Sequence, residues 1–508
     1  MKEICRKLFD KLNNNAIRYC HFKSNEHLEE GLDGNTDLDI LVDENHSSKM
    51  KTILEELGYK EFEPQEFCSY PGVTNWYGLD YETGSILHIH LHTHLITGKN
   101  LIKDYIIPWD QIILDASEMH TTGVRVNNPS MELILLFVRM AVKRTLKQNL
   151  KSSRDKIYLE GDEWKEVLYL RDCVKHIDCE RFKKAYEMLL GISTFDKYKQ
   201  MILNDEKISR KQFFAFQKYV RILLENNRRM IPVKASLYSF IFRVRRKVYM
   251  YYNEYCGGTL PIKKRIDNGG SLFAFIGIDG SGKSTMIQHI KEWMAEEFDV
   301  KSYYLGAGDG NKSVIAQMMI KVYQLMIKRR GNDSLQVSNM TRTVVKNTGI
   351  KSKLKAIFAS YAYLGIAKNN LKSLKRAYSL CREGGIALCD RFPQSCIEVL
   401  HDGLKVQRYE RAFPNSSVIR YMAKKERKIF NRIESIKGNF YIIRLNVDPM
   451  ISYERKKENE INALERVEKA KTIRTLTYKN IKTIFEIDAN KNQEEELCSI
   501  KKVIWEAI

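Results

Sequence analysis

The sequence predicts an α/β protein: a doubly wound parallel sheet with helices on both faces in the C-terminal half, preceded by an α+β N-terminal domain and a helical connector. Three observations predict it. Past residue 270 the apolar strands Leu272 to Ile278, Lys301 to Leu305, Ile386 to Cys389 and Phe440 to Val447 alternate with helical stretches, the pattern of strands joined by crossover helices. In the first half, the amphipathic start MKEICRKLFDKLNNN and the strands Leu38 to Val42 and Ile86 to Leu95 give way after Asn128 to apolar residues three and four apart, as in MELILLFVRMAVKRTL and WKEVLYLRDCVKHI. Between the halves, Gly257, Gly258, Pro261, Gly269 and Gly270 break the pattern and mark a boundary. The expected ranges are 1–195 for the N-terminal domain, 196–270 for the connector and 271–508 for the C-terminal domain.

With 44% hydrophobic and 10% aromatic residues, the 508-residue chain has enough apolar side chain to build a core in each part, which excludes a chain disordered over most of its length. No run of eighteen apolar residues occurs, so a cytoplasmic protein, peripheral at most to a membrane, is expected. Ten cysteines lie scattered without CxxC pairs, the usage of reduced thiols rather than of a disulfide framework or a zinc site.

The net charge of +21 is concentrated in two windows. Arg210 to Tyr252 holds eleven Lys or Arg against the single acid Glu225, and Lys312 to Arg376 holds fourteen against Asp333. The first window interleaves arginines with aromatics, as in YSFIFRVRRKVYMYYNEY. That composition suits single-stranded nucleic acid, an anionic membrane surface, or an interdomain helix that buries its aromatic rings. The second window suits a polyanionic or membrane-bound acceptor, or a solvated helical face.

Directly after the strand LFAFIGI, residues Gly277, Ile278, Asp279, Gly280, Ser281, Gly282, Lys283, Ser284 and Thr285 match the G-x4-G-K-[ST] pattern, and the amphipathic stretch MIQHIKEWM follows. Glycines let the backbone curl so that N–H groups point at phosphate oxygens, while the helix start presents its positive end to the same anion. Lys283 is expected to reach the β- and γ-phosphates and Ser284 to offer its hydroxyl to Mg²⁺. Asp390 and Arg391 end the apolar strand GGIALCDRF, where a parallel sheet presents its ligands; Asp390 suits Mg²⁺ held through water and Arg391 a two-pronged grip on phosphate.

GIDGSGKST, the later DRF, YIIRLNVDPMISYERKKE and FEIDANKNQEEELCSIKKVI, in that order from Leu272 to Ile508, resemble the thymidylate kinase family of P-loop kinases. The resemblance implies ATP as phosphoryl donor, Mg²⁺ as cofactor, and a mobile lid whose arginines, Arg455 and Arg466 with Lys456 and Lys457 nearby, close over the phosphates. Two departures fall on the acceptor side. The family's acidic-proline loop is replaced by LGAGDGNKS, and its base-reading helix by the basic stretch NTGIKSKLKAIFASYAYLGIAKNNLK.

In the N-terminal half, Asp37 and Asp39 alternate along DLDILV, which aims both carboxylates to one side as a Mg²⁺ and nucleotide site requires. Lys23, Ser24 and Asn25 open the preceding helix, and Gly34 turns the chain into the strand. This order resembles the nucleotidyltransferase superfamily, with Ser24 and the Asp37 and Asp39 pair in place. Lys23 stands where that family has glycine, and His90 where it has a third carboxylate. His88, His90, His92 and His94 share one face of ILHIHLHTH, a pattern of either a metal site or a half-solvated strand; His90 is the metal candidate by its motif position.

Taken together, the expectation is an ATP-dependent kinase with an unidentified acceptor, fused to a nucleotidyltransferase-like domain. Two other readings stay open: a nucleic-acid end-processing enzyme guided by the basic windows, and a non-catalytic ATP sensor.

Overall fold

The computed structural model describes residues 1–144, 161–177, 179–203, 208–267, 269–306, 349–398, 402–455 and 463–508. It divides into two compact units, Met1–Tyr251 and Tyr252–Ile508.

The first unit opens with α1 (Glu3–Asn14), whose Ile4, Cys5, Leu8, Phe9 and Leu12 recur at helical spacing and are buried. β1 (Tyr19–His21), α2 (Leu28–Leu32), β2 (Leu38–Val42), α3 (Ser47–Glu56), β3 (Lys60–Glu63), β4 (Val73–Leu79) and β5 (Ile86–His92) follow. A small hairpin, β6 (Leu95–Thr97) with β7 (Tyr105–Ile107), precedes α4 (Asp110–Asp115), β8 (Glu118–Met119) and β9 (Arg125–Val126). The main sheet runs β3-β4-β5-β2-β1-β9-β8. β2 lies parallel to β5 with Asp39 opposite His90, while β4 and β5 are antiparallel with Asn75 opposite His90 and Tyr77 opposite His88.

α5 (Pro129–Lys143) starts where the helical periodicity begins: the Asn128 side chain accepts from Ser130 N–H, and proline fills the first turn. α6 (Gly161–Lys175), α7 (Cys179–Leu190), α8 (Phe195–Leu203) and α9 (Arg210–Leu223) pack with it around Phe137, Tyr186, Tyr198 and Phe216. The front of the basic aromatic segment is therefore core: Phe213, Phe216 and Val220 of α9 are fully buried. Its second helix, α10 (Pro232–Tyr255), differs. It buries Ala235 and Ser239 and leaves Leu237, Phe240, Val244 and Val248 exposed.

The second unit contains the short β10 (Arg265–Ile266), β11 (Leu272–Ile276), α11 (Lys283–Ala295), β12 (Val300–Tyr304), α12 (Ile350–Arg382), β13 (Ile386–Asp390), α13 (Gln407–Ala412), α14 (Ser417–Ser435), β14 (Phe440–Asn446), α15 (Pro449–Arg455), α16 (Ala463–Arg474), β15 (Thr483–Asp488) and α17 (Gln493–Ala507). Five strands form a parallel sheet in the order β12-β13-β11-β14-β15, flanked by helices. β11 is buried throughout, because a central strand covered on both sides must be apolar at every position. From β11 the chain leaves to one side for β12 and β13, then returns to the other for β14 and β15. The carboxyl ends of β11 and β13 thus meet where the strand order reverses, the crevice in which such sheets bind ligands.

Among the described residues no helix is long and apolar enough to cross a membrane. None of the ten cysteines is in a disulfide. Residues 307–348, which hold half of the second basic window and most of LGAGDGNKS, lie outside the described residues, as do Lys456 and Lys457.

Candidate functional site

β11 ends at Ile276, and the next six residues wrap back to start α11 at Lys283. The wrap requires glycine. Gly280 and Gly282 both adopt φ of +87°, and a Cβ on Gly280 would stand 2.6 Å from the carbonyl oxygen of Ser452. From α15, Ser452 Oγ donates to the Asp279 carbonyl at 2.6 Å, tying the loop to that helix.

Inside the loop lies the Lys283 ammonium, 7% exposed, which donates to the carbonyl oxygens of Gly277 (2.9 Å) and Ile278 (2.8 Å) and to Ser281 Oγ (3.4 Å). Burial, with the nearby Arg391 guanidinium, pushes its pKa down to about 8. Neutral oxygens only partly replace water around an ammonium. A group of opposite charge in the loop would restore what burial removes.

The neighbouring strand supplies the other half. Asp390, the last residue of β13, pairs with Phe275 of β11. Its Oδ2 accepts from Ser284 Oγ at 3.1 Å, and its Oδ1 is buried with no hydrogen-bond partner among the described residues. A buried carboxylate oxygen without a donor is the group a cation satisfies, and Ser284 places a second oxygen beside it. Arg391 adopts φ of +71°, its Nη2 donating to Asp279 Oδ1 at 2.9 Å and its Nη1 lying 3.6 Å from Asp402 Oδ2. Asp279, Lys283 and Ser284 therefore surround one crevice with Asp390 and Arg391, which lie more than a hundred residues further along the chain. Thr285 is exposed on the first turn of α11.

Arg455 ends α15, and its Nη1 donates to the Ala489 carbonyl at 3.1 Å. The Arg466 side chain lies outside those described. Glu496, in the run EEEL at the start of α17, is a site residue that no sequence pattern marks. Only 2% exposed, its Oε1 has no hydrogen-bond partner among the described residues and would lie 3.9 Å from a Cβ on Gly282. Burial, against the pull of Arg455, pushes its pKa up to about 7. Asp402 stands outside every motif quoted above, and Ser452, although inside YIIRLNVDPMISYERKKE, is marked by no feature of that stretch.

In the first unit the strand pairing brings Asp37, Asp39 and His90 together. His90 Nδ1 lies 2.8 Å from Asp37 Oδ2 and 3.5 Å from Asp39 Oδ1. The hydrogen bond from His90 holds the Asp37 carboxyl well below the usual carboxylate range. For Asp39, burial would raise the pKa, but Lys23 Nζ at 2.8 Å and the imidazoles of His90 and His92 outweigh it. Lys23 thus neutralises Asp39. Ser24 adopts φ of +59°, and Asn25 donates through its backbone N–H (3.0 Å) and Nδ2 (2.6 Å) to Glu132, which burial pushes up to about 8. Glu132 lies outside the motif that contains Asn25. Burial, Lys23, Arg139 and Lys143 together push Lys103 down to about 8, so the carboxylates sit within a basic surround. Asp37, His88 and His90 offer ligand atoms all within 4.8 Å of one another.

No family model matches the chain. It is 24% identical over 238 residues to a protein of Escherichia coli (strain K12) described as "Uncharacterized ATP-binding protein YghR", and equally to the protein of that name from Escherichia coli O6:H1 (strain CFT073); each match covers 46% of this chain and 86% of the relative.

Proposed function

We propose that the second unit binds ATP in the Gly277–Thr285 loop and transfers its γ-phosphoryl group to an acceptor, as a phosphotransferase of the thymidylate kinase-like, nucleoside monophosphate kinase class. The observation that carries this reading is the caged ammonium of Lys283, set in the glycine loop within one crevice with Asp390, Ser284 and Arg391. The relatives described as ATP-binding support the nucleotide.

Lys283 would hold the β- and γ-phosphates and stabilise the charge that gathers on the transferring group. Asp390 and Ser284 would hold Mg²⁺, which when bound neutralises charge between the phosphates. Arg391, released from Asp279, would grip the γ-phosphate or the acceptor in two-pronged fashion. Arg455 and Arg466 would close over the phosphates. A crevice that replaces water with fixed donors strengthens each of these contacts and favours transfer over hydrolysis.

The first unit is read as a nucleotidyltransferase-like domain whose activity is tested separately. Incubation with γ-labelled and with α-labelled ATP across nucleotides, sugars, lipid phosphates and oligonucleotides distinguishes the two transfers. Label from the γ position marks the kinase, and label from the α position marks nucleotidyl transfer. Lys283→Ala should lower γ-transfer by about 100-fold or more while the thermal unfolding of the protein persists. Undiminished transfer by that variant refutes the assignment.

A further inference from the structure

His88 and His90 lie two residues apart on β5 and so face the same side of the sheet. The parallel neighbour β2 sets Asp39 opposite His90, and Asp37, just before β2, reaches His90 Nδ1 at 2.8 Å. The two carboxylates then part company. Asp39 is buried against Lys23 at 2.8 Å, an ion pair that meets its charge inside the fold. Asp37 stays partly open and turns to the imidazoles, and the ligand atoms of Asp37, His88 and His90 fall within 4.8 Å of one another.

The His88 ring is held from two sides. It stacks on Tyr77 with centroids 4.2 Å apart and planes 6° from parallel, and its Nε2 lies 3.2 Å from Asn75 Oδ1. A neutral imidazole that donates Nε2–H to an amide oxygen turns its Nδ1 lone pair the other way, the second-neighbour contact that fixes a metal-bound histidine in one tautomer.

We propose that the first unit binds one transition-metal ion of the zinc class through Asp37, His88 and His90, with Asp39 held out of coordination by Lys23. Two imidazoles and one carboxylate are a borderline donor set, suited to Zn²⁺ and its first-row neighbours; Mg²⁺ requires hard oxygen donors in octahedral array. Three protein ligands leave a fourth position open, as in zinc sites that bind a substrate or water. The proposal deepens the reading of this strand edge as a metal-dependent site and rests on it. It differs in the ion and in the ligands, exchanging Asp39 for His88.

The test is a titration of metal-stripped full-length protein with Zn²⁺, Co²⁺ and Mg²⁺, followed by calorimetry and visible absorption. One equivalent of Zn²⁺ or Co²⁺ should bind, on the order of 100-fold more tightly than Mg²⁺. The Co²⁺ form should show visible bands without the intense near-ultraviolet band of a cobalt thiolate, which separates this site from binding at the cysteines. Asp37→Asn and His88→Gln should each weaken binding at least about tenfold, and Asn75→Ala by about 10- to 100-fold, whereas Asp39→Asn should keep one Zn²⁺ per chain. If His88→Gln unfolds the domain, the partly exposed Asp37→Asn carries the comparison. Zn²⁺ binding that survives Asp37→Asn, a thiolate band, loss of the site in folded Asp39→Asn, or Mg²⁺ bound as tightly as Zn²⁺ would each overturn the proposal. Because binding is read without nucleotide, Zn²⁺ binding with no transfer of α-label retires nucleotidyl transfer and leaves the metal site standing.

Discussion

Two of the ionisable side chains at the glycine loop, Lys283 and Glu496, tie nucleotide affinity to pH in the same direction. Lys283 loses its proton as pH rises through about 8, and a bound anion favours the protonated form, so affinity falls through that range. Glu496 gains negative charge as pH rises through about 7, beside the same loop, and again affinity falls. Each group contributes up to about tenfold per pH unit above its pKa. In paired titrations of wild type and Glu496→Gln, ATP affinity should drop from pH 6 to 9 in both, with the step near 7 missing from the variant. Parallel profiles would show that Glu496 does not reach the nucleotide's field. The sequence disclosed Lys283 because a motif with a physical rationale surrounds it. It was silent on Glu496 and Glu132, whose importance comes from burial, a property set by what packs over a residue rather than by its neighbours in the chain.

At the level of elements, the four strands expected in the second half appear as β11, β12, β13 and β14 with ends shifted by a residue or two. β15 went unrecognised as a strand. It lies at the sheet edge beside β14 with most of its residues partly exposed, so its apolar signal is diluted. β4 was also missed, because WYGLDY carries a glycine inside the strand; Gly78 leaves room for the Tyr59 ring, 2.6 Å from where its Cβ would be. The basic aromatic segment misled through composition: α9 and α10 look alike in sequence, yet one is core and the other mostly exposed, since only packing separates a buried aromatic from a displayed one. Phe216→Ala should therefore destabilise the first unit by about 3–5 kcal/mol, whereas Phe240→Ala should cost under about 0.5 kcal/mol, by chemical denaturation. Equal costs would contradict the assignment of the two helices. Gly280→Ala meets a carbonyl at 2.6 Å in a backbone conformation that disfavours side chains, and should abolish ATP binding while the sheet's circular dichroism persists.

For the whole molecule, two units each with an internal core predict two unfolding transitions, and ATP at 100 times its Kd should raise the second unit's transition alone, by about 2.7 kcal/mol of stability. The pH dependence has a sign that can be worked out. Burial raises Glu132 to about 8 and Glu426 and Glu496 to about 7, so above the unfolded value of 4.5 the folded chain binds more protons than the unfolded one and stability falls as pH rises. His21 and His92, with lowered values, act in the opposite sense below 6.5, and Lys103 and Lys283 do so above about 8. Between pH 6.5 and 8 the carboxyls dominate, so melting temperature should fall across that window, Glu132 contributing about 1.4 kcal/mol per pH unit. Glu132→Gln should flatten the slope of the first unit. The central claim, that the Gly277–Thr285 loop and the Lys283 ammonium hold a triphosphate, is tested most directly by calorimetric titration of ATP with Mg²⁺ into wild type and Lys283→Ala. One site per chain in the wild type and a loss of affinity of about 100-fold or more in the variant is the expected result; ATP bound equally by both proteins, or by neither, would contradict it.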